Sequence, residues 1–300
     1  TVNSSSISGT NYAIYHNSNG TVTVKNTTLK SSNGHSVYNN NNGLITLEDT
    51  DSTGSIRNNN ANGTLNILGG NLTGYIYNAG KSTIRNTTQT ATNTSYYDTR
   101  IIENYGVITL ENNNFTHSDK YNGENDYYTE VILNQGTLNS FDNQYKISND
   151  TTYRGKRLAA IYNYNGIITS TGDTIELVNG KYAYGIYSSS SHDSEINDII
   201  IKIHETAEYD YGIYNQTGNL TVNSGSVTLY DGNESKGIYS NTSTANTKSI
   251  NVEYNIYNSN IAFGGYIKEG TLTIESGTMS SKGNTKAYGI YIETTGTLTL

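Results

Sequence analysis

Two groups of carboxylates are the residues of this chain whose chemistry would be most specific if they converged. The first group is Asp119, Glu124, Asp126 and Glu130, and the second is Asp193, Glu195 and Asp198. Two carboxylates on either side of a sugar linkage can cleave it by acid and base catalysis. Both groups lie in long or irregular parts of the chain, where solvated loop charges are ordinary. We therefore expect no catalysis, with a polysaccharide lyase or hydrolase as the alternative.

The other polar residues argue against several classes of ligand. The five histidines, His16, His35, His117, His192 and His204, lack the spacing of zinc ligands. No Gly-Gly-x-Gly-x-Asp repeat of a calcium-binding roll occurs, so we expect no metal and no cofactor. The formal net charge of −8 argues against nucleic acid, which would require a basic stripe. No apolar run is long enough for a membrane span.

Tyrosine is the remaining residue type with a capacity for ligand binding, since the chain has 28 Tyr and 3 Phe. A tyrosine ring offers an apolar face to a sugar and a hydroxyl at its edge. Many of these tyrosines directly follow an isoleucine, as in Gly185-Ile186-Tyr187 and Gly212-Ile213-Tyr214. The elements that position the tyrosines must therefore recur as well.

The recurring element begins at an apolar anchor residue. The anchors are Ile14, Val37, Ile56, Ile76, Ile102, Ile132, Ile161, Ile186, Ile213, Ile238, Ile267 and Ile290. Each anchor is followed by a polar turn and a run such as Gly270-Thr271-Leu272-Thr273-Ile274, and often by a third short run. Alternation at period two indicates half-buried strands. Repeated units of about 25 residues indicate a solenoid, because one unit cannot bury its own apolar face.

We therefore predict an all-β fold, a right-handed parallel β-helix (β-solenoid) of about twelve coils with about 25 residues per coil. The apolar content of 33% suffices for a thin solenoid, since only alternate strand residues point inward. Residues 1–300 form one segment, expected to be a fragment of a longer repeat protein. The two consecutive gaps between Ile102 and Ile161 are both long and predict insertions near 116–130 and 146–158.

Alternation also assigns the faces of the first strand of each coil. With the anchor inward, the next residue points outward, and it is Tyr in eight of twelve coils: Tyr15, Tyr38, Tyr77, Tyr162, Tyr187, Tyr214, Tyr239 and Tyr291. The residue before the anchor, often small as at Gly185, is expected on the same outward face. Two positions after the anchor, Asn recurs at Asn39, Asn58, Asn78, Asn104, Asn134, Asn163 and Asn215. We expect these residues to form a hydrogen-bonded ladder at a corner, where Asn tolerates left-handed turns.

The Gly-Ile-Tyr-Asn and Gly-Thr-Leu-Thr-Ile runs resemble the parallel β-helix of bacterial surface proteins. These include autotransporter passengers and the repetitive adhesins of Gram-positive bacteria, and the resemblance covers essentially the whole chain. It implies an extracellular adhesin or stalk, secreted or on a bacterial cell surface, that contacts glycans, host surface molecules or sister rods. Phage tailspikes and pectate-lyase-like enzymes share the fold and represent the alternative, a polysaccharide-binding or polysaccharide-cleaving β-helix.

Two surfaces are candidates for binding. The first is the outward tyrosine ladder, represented by Tyr187, Tyr214 and Tyr239, which also allows self-association. The second is the pair of insertions, which carry Tyr121, Tyr127, Tyr128, Tyr153, Arg154 and Arg157. Loops that leave a rigid solenoid are common binding sites, and their opposite charges also allow mutual pairing. A third alternative is ice binding by the outward threonines of the second strand, although a flat Thr-x-Thr lattice is incomplete.

Overall fold

The computed structural model describes residues 1–93, 99–119, 128–149, 157–206 and 208–300. Within these residues the chain is an all-β parallel solenoid of about 11 turns, with roughly 26 residues per turn and no helix. The fold class predicted from the periodicity is therefore confirmed, while the right-handed sense of the winding stays a prediction.

The strands follow one another as short segments in the first part of the chain and as longer continuous segments in the last. The first part contains β1 (Val2–Asn3), β2 (Ser6–Gly9), β3 (Tyr12–His16), β4 (Thr21–Lys25), β5 (Thr28–Asn39), β6 (Leu44–Glu48), β7 (Asp51–Asn58), β8 (Thr64–Leu68), β9 (Asn71–Thr73), β10 (Ile76–Asn78), β11 (Lys81–Arg85), β12 (Thr88–Asn93), β13 (Thr99–Asn104), β14 (Val107–Glu111) and β15 (Asn114–Asp119). The second part contains β16 (Tyr128–Asn134), β17 (Thr137–Phe141), β18 (Gln144–Asn149), β19 (Arg157–Tyr164), β20 (Ile167–Thr171), β21 (Thr174–Val178), β22 (Tyr182–Ser189), β23 (Ser194–His204), β24 (Tyr209–Tyr230), β25 (Glu234–Ser240), β26 (Ala245–Ile274) and β27 (Gly277–Thr299).

Each coil has three strand segments, some of which join into one long strand as in β24 and β26, and each segment pairs in parallel with its equivalents in the neighbouring coils. In the fifth coil, for example, β13 pairs with β10 and β16, β14 pairs with β11 and β17, and β15 pairs with β12 and β18. The apolar residues of every coil therefore stack in columns inside the solenoid. Ile108 and Leu110 are fully buried, whereas Thr109 between them faces outward, as alternation predicts.

Eleven of the twelve predicted anchors lie in one column of register partners, which runs from Ile14 to Ile290. The anchor placed at Ile267 is wrong, because Gly265 is the partner of both Ile238 and Ile290. A Cβ atom on Gly265 would lie 3.3 Å from the Leu272 side chain and 3.4 Å from that of Met279, so these two side chains lie where an anchor side chain would extend. Ile267 is buried two positions further on.

The predicted outward direction of the small residue before the anchor is also wrong. A Cβ atom on Gly185 would lie 2.7 Å from the Ile201 side chain, and one on Gly212 would lie 2.2 Å from Val227, both in the core. Alternation breaks at this position, so two consecutive residues point inward, as Ala160 and Ile161 do. The outward neighbour of each ladder tyrosine is therefore the residue two positions before the anchor.

The predicted asparagine ladder is confirmed for six of its seven residues, whereas Asn215 donates to the Gly218 carbonyl and the Thr247 hydroxyl, both at 3.0 Å. The Nδ2 group of each asparagine donates to the Oδ1 atom of the asparagine in the next coil: Asn39 to Asn58 (3.0 Å), Asn58 to Asn78 (3.0 Å), Asn78 to Asn104 (2.9 Å), Asn104 to Asn134 (2.8 Å) and Asn134 to Asn163 (2.8 Å). Each Nδ2 group also donates to the carbonyl of a glycine in its own coil, as Asn78 does to Gly80. The amides lie at strand ends, while left-handed backbone occurs elsewhere, for example at Asn86 and Asn112. Buried polar groups are thereby satisfied along the axis.

A second buried ladder lies at the start of the third strand and has no counterpart in the sequence prediction. The Asn113 Oδ1 atom accepts hydrogen bonds from the backbone and the hydroxyl of Thr87 at 3.0 and 2.9 Å. Asn113 donates from both its backbone N–H and its side-chain amide to Asn143 Oδ1. Asn143 donates from the same two groups to Asp173 Oδ1. Burial raises the pKa of Asp173, and hydrogen bonds from Ser170 and Asn143 oppose that shift. The available sequence signal was the recurrence of asparagine at equivalent positions of consecutive coils, Asn113 and Asn143.

Candidate functional site

The outward side of the first strands carries two adjacent columns rich in aromatic side chains, which we call the tyrosine face. The column after the anchor contains Tyr15, Tyr38, Tyr77, Tyr162, Tyr187, Tyr214, Tyr239, Tyr266 and Tyr291. The column two positions before the anchor contains Tyr12, His35, Tyr184, Tyr211, Lys236, Phe263 and Tyr288. Sequence reasoning missed Tyr266 and the whole second column, although the Tyr-Gly-Ile-Tyr motif contains both positions.

The rings of this face stack on one another along the solenoid axis. Tyr187 lies between Tyr162, at 4.5 Å between ring centroids and 6° between planes, and Tyr214, at 4.9 Å and 14°. In the second column Tyr184 and Tyr211 stack at 5.0 Å and 4°. Both flat sides of Tyr187 are therefore covered by neighbouring rings, and solvent reaches the ring edges. A sugar that stacks on an aromatic plane would find that plane occupied here.

The three tyrosines predicted for binding have different environments. Tyr187 and Tyr214 are half-buried, whereas Tyr239 is only 7% exposed. The Tyr214 hydroxyl donates to Gln216 at 2.9 Å, and the Tyr239 hydroxyl donates to Asn241 at 2.7 Å. Burial raises the pKa of Tyr239 well above its ordinary value. Tyr187 and Tyr214 therefore belong to an accessible surface, and Tyr239 belongs to the packing beneath it.

Lys236 explains why Tyr239 is covered. Its ammonium lies 4.9 to 5.6 Å from five ring centroids, those of Tyr209, Tyr211, Tyr239, Phe263 and Tyr266. It also forms an ion pair with Glu234. Burial lowers the pKa of Lys236, and the Glu234 carboxylate opposes that shift. The cation, held on several ring faces, stabilises the aromatic cluster but is not accessible to a ligand.

Asp210 is a second buried charge near this face. It is fully buried, its Oδ2 atom accepts a hydrogen bond from Ser235 at 2.8 Å, and its Oδ1 atom has no hydrogen-bond partner among the described residues. Burial raises the pKa of Asp210 to about 7, and the Ser235 hydrogen bond opposes that shift. The nearby Asp231 carboxylate raises this pKa further, and Lys236 lowers it.

A pH-dependent stability is expected from Asp210. The unfolded carboxyl ionises near its ordinary pKa of 3.8, but the folded protein keeps the proton until about pH 7. Stability is therefore highest at acidic pH and falls as the pH rises through this window. Asp210→Asn should raise the free energy of unfolding by about 2 kcal/mol at pH 8 and change it little at pH 4. Thermal unfolding at both pH values, with Asp193→Asn as the exposed control, measures this; an equal gain at both pH values would contradict it.

The insertions are only partly described. Strand β15 reaches Asp119 and β16 begins at Tyr128, while β18 reaches Asn149 and β19 begins at Arg157. The flanking strands pair in register, Tyr128 with Arg157, so the two segments leave and re-enter at neighbouring coils. Arg157 donates to the Tyr128 hydroxyl at 2.7 Å and lies 5.2 Å from the ring centroid of Tyr182. The predicted site residues Tyr121, Tyr127, Tyr153 and Arg154 lie outside the described residues.

The first carboxylate group is not assembled by the part of the chain that the structure describes. Glu130 is buried, and its Oε2 atom lies 3.3 Å from the Arg100 guanidinium. Glu124 and Asp126 lie outside the described residues, as does the side chain of Asp119. Glu130 is thus held in an ion pair within the wall of the solenoid.

The second carboxylate group is divided. Asp193 and Glu195 line a groove of about 750 Å³ on the outer side of the second strands, together with Asn219, Thr221, Asn246, Lys248 and Glu275. Asp198 instead accepts a hydrogen bond from Ser224 at a left-handed turn. The groove combines residues of several coils, and no single repeat reveals it.

The threonine column does not form a regular lattice. Asn66, Asn139, Glu195 and Lys248 occupy register positions between the threonines of the second strand. Ice binding requires a flat and repetitive surface, which these longer side chains interrupt.

Histidine and acidic side chains are the groups of this chain that could bind a metal ion. In the described ranges, no three such side chains come together in a way that could hold a metal ion. His117 contacts the Glu130 carbonyl at 3.0 Å, and His204 stacks on Tyr230 at 4.9 Å. These two histidines therefore have packing and hydrogen-bonding roles.

Comparison of the chain with protein-family models, with curated proteins and with solved structures gives no match. Across the residues that the structure describes, no helix has the length and apolar character that crossing a membrane requires.

Proposed function

We propose that the protein is an extracellular structural and adhesive rod, secreted or displayed on a bacterial cell surface, without catalytic activity. The observation that supports this most directly is the continuous stacking of equivalent side chains along one axis. Inside, the amides of Asn39 to Asn163 are hydrogen-bonded from coil to coil, and outside the rings of Tyr162, Tyr187 and Tyr214 stack in the same direction. Such stacking favours length and stiffness over an enclosed pocket.

The exposed edges of the tyrosine face are the proposed contact surface for host molecules or sister rods. Ring edges and hydroxyls combine apolar area with hydrogen bonding, a combination that is enriched at interfaces. Since the ring planes are covered, contact with the edges does not require the stack to open. Arg157 and Glu234 lie beside the face, where Arg157 contacts Tyr128 and Tyr182 and Glu234 pairs with Lys236.

A double variant tests the contact surface. Tyr187→Ser with Tyr214→Ser should reduce binding of the immobilised rod to cells or to sister rods about tenfold, because it removes two half-buried rings from the exposed edge. Tyr164→Ser, at a tyrosine that is 48% exposed and outside both columns, is the matched control. The circular dichroism spectrum should remain that of a β-protein. Unchanged binding of the double variant would exclude the tyrosine face as the contact surface.

Tyr239→Ser is expected to behave differently from that double variant. It removes a buried ring beside the Lys236 ammonium and should lower the free energy of unfolding by about 3 kcal/mol. Chemical denaturation of the single variants compares them directly. A smaller loss for Tyr239→Ser than for Tyr187→Ser would contradict the assignment of Tyr239 to the packing.

A polysaccharide-cleaving enzyme is the second candidate, because Asp193 and Glu195 share a groove with Lys248 and Glu275. Carboxylates in a groove are the groups that glycoside cleavage requires. Incubation with a panel of polysaccharides and measurement of new reducing ends tests it. Product that disappears in Glu195→Gln would establish the enzyme and overturn the proposal of a purely adhesive rod, whereas no product from any polysaccharide would reject the enzyme.

A further inference from the structure

The groove on the second strands has a floor of stacked side chains and one wall of hydrogen-bonded side chains. Its floor follows the register partners Thr169, Glu195, Thr221 and Lys248. The short Thr221 side chain lies between the longer side chains of Glu195 and Lys248, and this difference in length creates a depression at Thr221. The wall is a hydrogen-bonded row in which Asn246 donates to Asn219 at 3.1 Å and Asn219 donates to Asp193 at 2.7 Å.

The groove is negatively charged. It contains the carboxylates of Asp193, Glu195 and Glu275 and a single ammonium, that of Lys248. Lys248 is already paired with Glu275 at 2.6 Å. The carboxylates of Asp193 and Glu195 therefore dominate the other end of the groove, where they attract cationic groups and repel acidic sugars such as uronates.

The spacing along the groove suits a linear ligand. Register partners in neighbouring coils are about 4.8 Å apart, so Thr169 and Thr221, two coils apart, are separated by about 9.6 Å. This distance is close to the two-sugar repeat of an extended β-1,4-linked polysaccharide. The threonine hydroxyls at alternate floor positions and the amides of Asn219 and Asn246 on the wall are groups that can hydrogen-bond to sugar hydroxyls along such a chain.

We infer that this groove binds an extended β-linked polysaccharide that carries amino groups, lying parallel to the solenoid axis. Glu195 and Asp193 bind the ammonium groups, while Thr221, Asn219 and Asn246 bind hydroxyls. The inference deepens the proposed function, on which it rests, by naming the glycan and a surface separate from the tyrosine face. The covered planes of the tyrosine rings are one reason to place the glycan here.

Titration with three hexasaccharides tests the inference: β-1,4-linked glucosamine, its N-acetylated form and galacturonate. The intact protein should bind the glucosamine hexamer most tightly and the galacturonate hexamer least, with affinity falling as salt rises. Glu195→Gln should weaken glucosamine binding about threefold to fivefold. Thr221→Tyr, which fills the depression, should abolish it, whereas Thr46→Tyr, in the same column but outside the groove, should leave it unchanged.

Several results would overturn the inference. Preference for galacturonate, or equal binding by the Thr221→Tyr variant, excludes this occupant of the groove. Glucosamine binding that survives Thr221→Tyr but is lost in the Tyr187→Ser, Tyr214→Ser double variant would place the glycan on the tyrosine face and leave the proposed function intact. If the protein binds cells or sister rods but none of the hexamers, the glycan assignment of the groove is rejected and the proposed function stands. Cleavage of a bound hexamer supports the groove but overturns the non-catalytic role.

Discussion

Replacing Ile213 by Asp should abolish the native fold of several neighbouring coils. The side chain is fully buried and lies between Ile186 and Ile238 in the anchor column. A carboxylate there would have no partner and would also remove aliphatic contacts with both neighbours. The expected cost is about 5 kcal/mol or more.

Because coils are stabilised mainly by their neighbours, this loss should spread along the axis rather than remain local. Thermal unfolding followed by circular dichroism, with limited proteolysis to locate the unfolded coils, measures the effect. Thr228→Asp, on the outward side of the same coil, is the matched control and should cost less than about 1 kcal/mol. An Ile213→Asp protein that unfolds at the wild-type temperature would show that the anchor column does not form the core.

Replacing Asn104 by Leu is expected to have the next largest effect. Asn104 Nδ2 donates to Asn134 Oδ1 at 2.8 Å and to the Thr137 carbonyl at 3.0 Å, and Asn104 Oδ1 accepts from Asn78 at 2.9 Å. Leucine has a similar volume but interrupts the ladder and leaves buried polar partners without hydrogen bonds. The expected cost is about 4 kcal/mol, since each such group costs about 1 to 3 kcal/mol.

The matched control is Asn114→Leu, at an exposed position at the start of β15, the third strand of the same coil. Chemical denaturation should distinguish the two variants clearly. If Asn104→Leu is as stable as the wild type, the amide ladder contributes no net stability, and the aliphatic columns alone hold the coils together.

Part of the tyrosine face was accessible to sequence reasoning. The residue after each anchor points outward, as period-two alternation predicts, and the rings of Tyr187 and Tyr214 lie in the expected column. The column two positions before the anchor was missed, because alternation breaks at Gly185 and Gly212. Such a one-residue irregularity reverses the inward or outward direction of the side chains that precede it. The anchor at Ile267 was misplaced because the true register position is Gly265, which has no side chain and lies against Leu272 and Met279.

Other tyrosines show the limit of residue type as a guide. Tyr145 and Tyr254 are buried inside the solenoid, and their hydroxyls pair with Ser140 at 2.6 Å and Ser249 at 3.0 Å. Phe115 stacks on Tyr145 at 5.4 Å within the same interior. These rings occupy inward-facing positions of the third strand. Their hydroxyl partners lie in the second strand and are brought close only by the folding of the coil.

The amino-acid sequence by itself determined the fold class, the approximate number of coils, eleven of the twelve anchors and most of the asparagine ladder, because these repeat every coil and depend on local alternation. Only the tertiary structure decided the contacts between coils: the covered planes of the tyrosines, the Lys236 ammonium among five rings, the buried Asp210 and the groove around Thr221. Residues about 26 positions apart become neighbours through stacking. The chemistry of those neighbours follows from register and side-chain length, which no single repeat specifies.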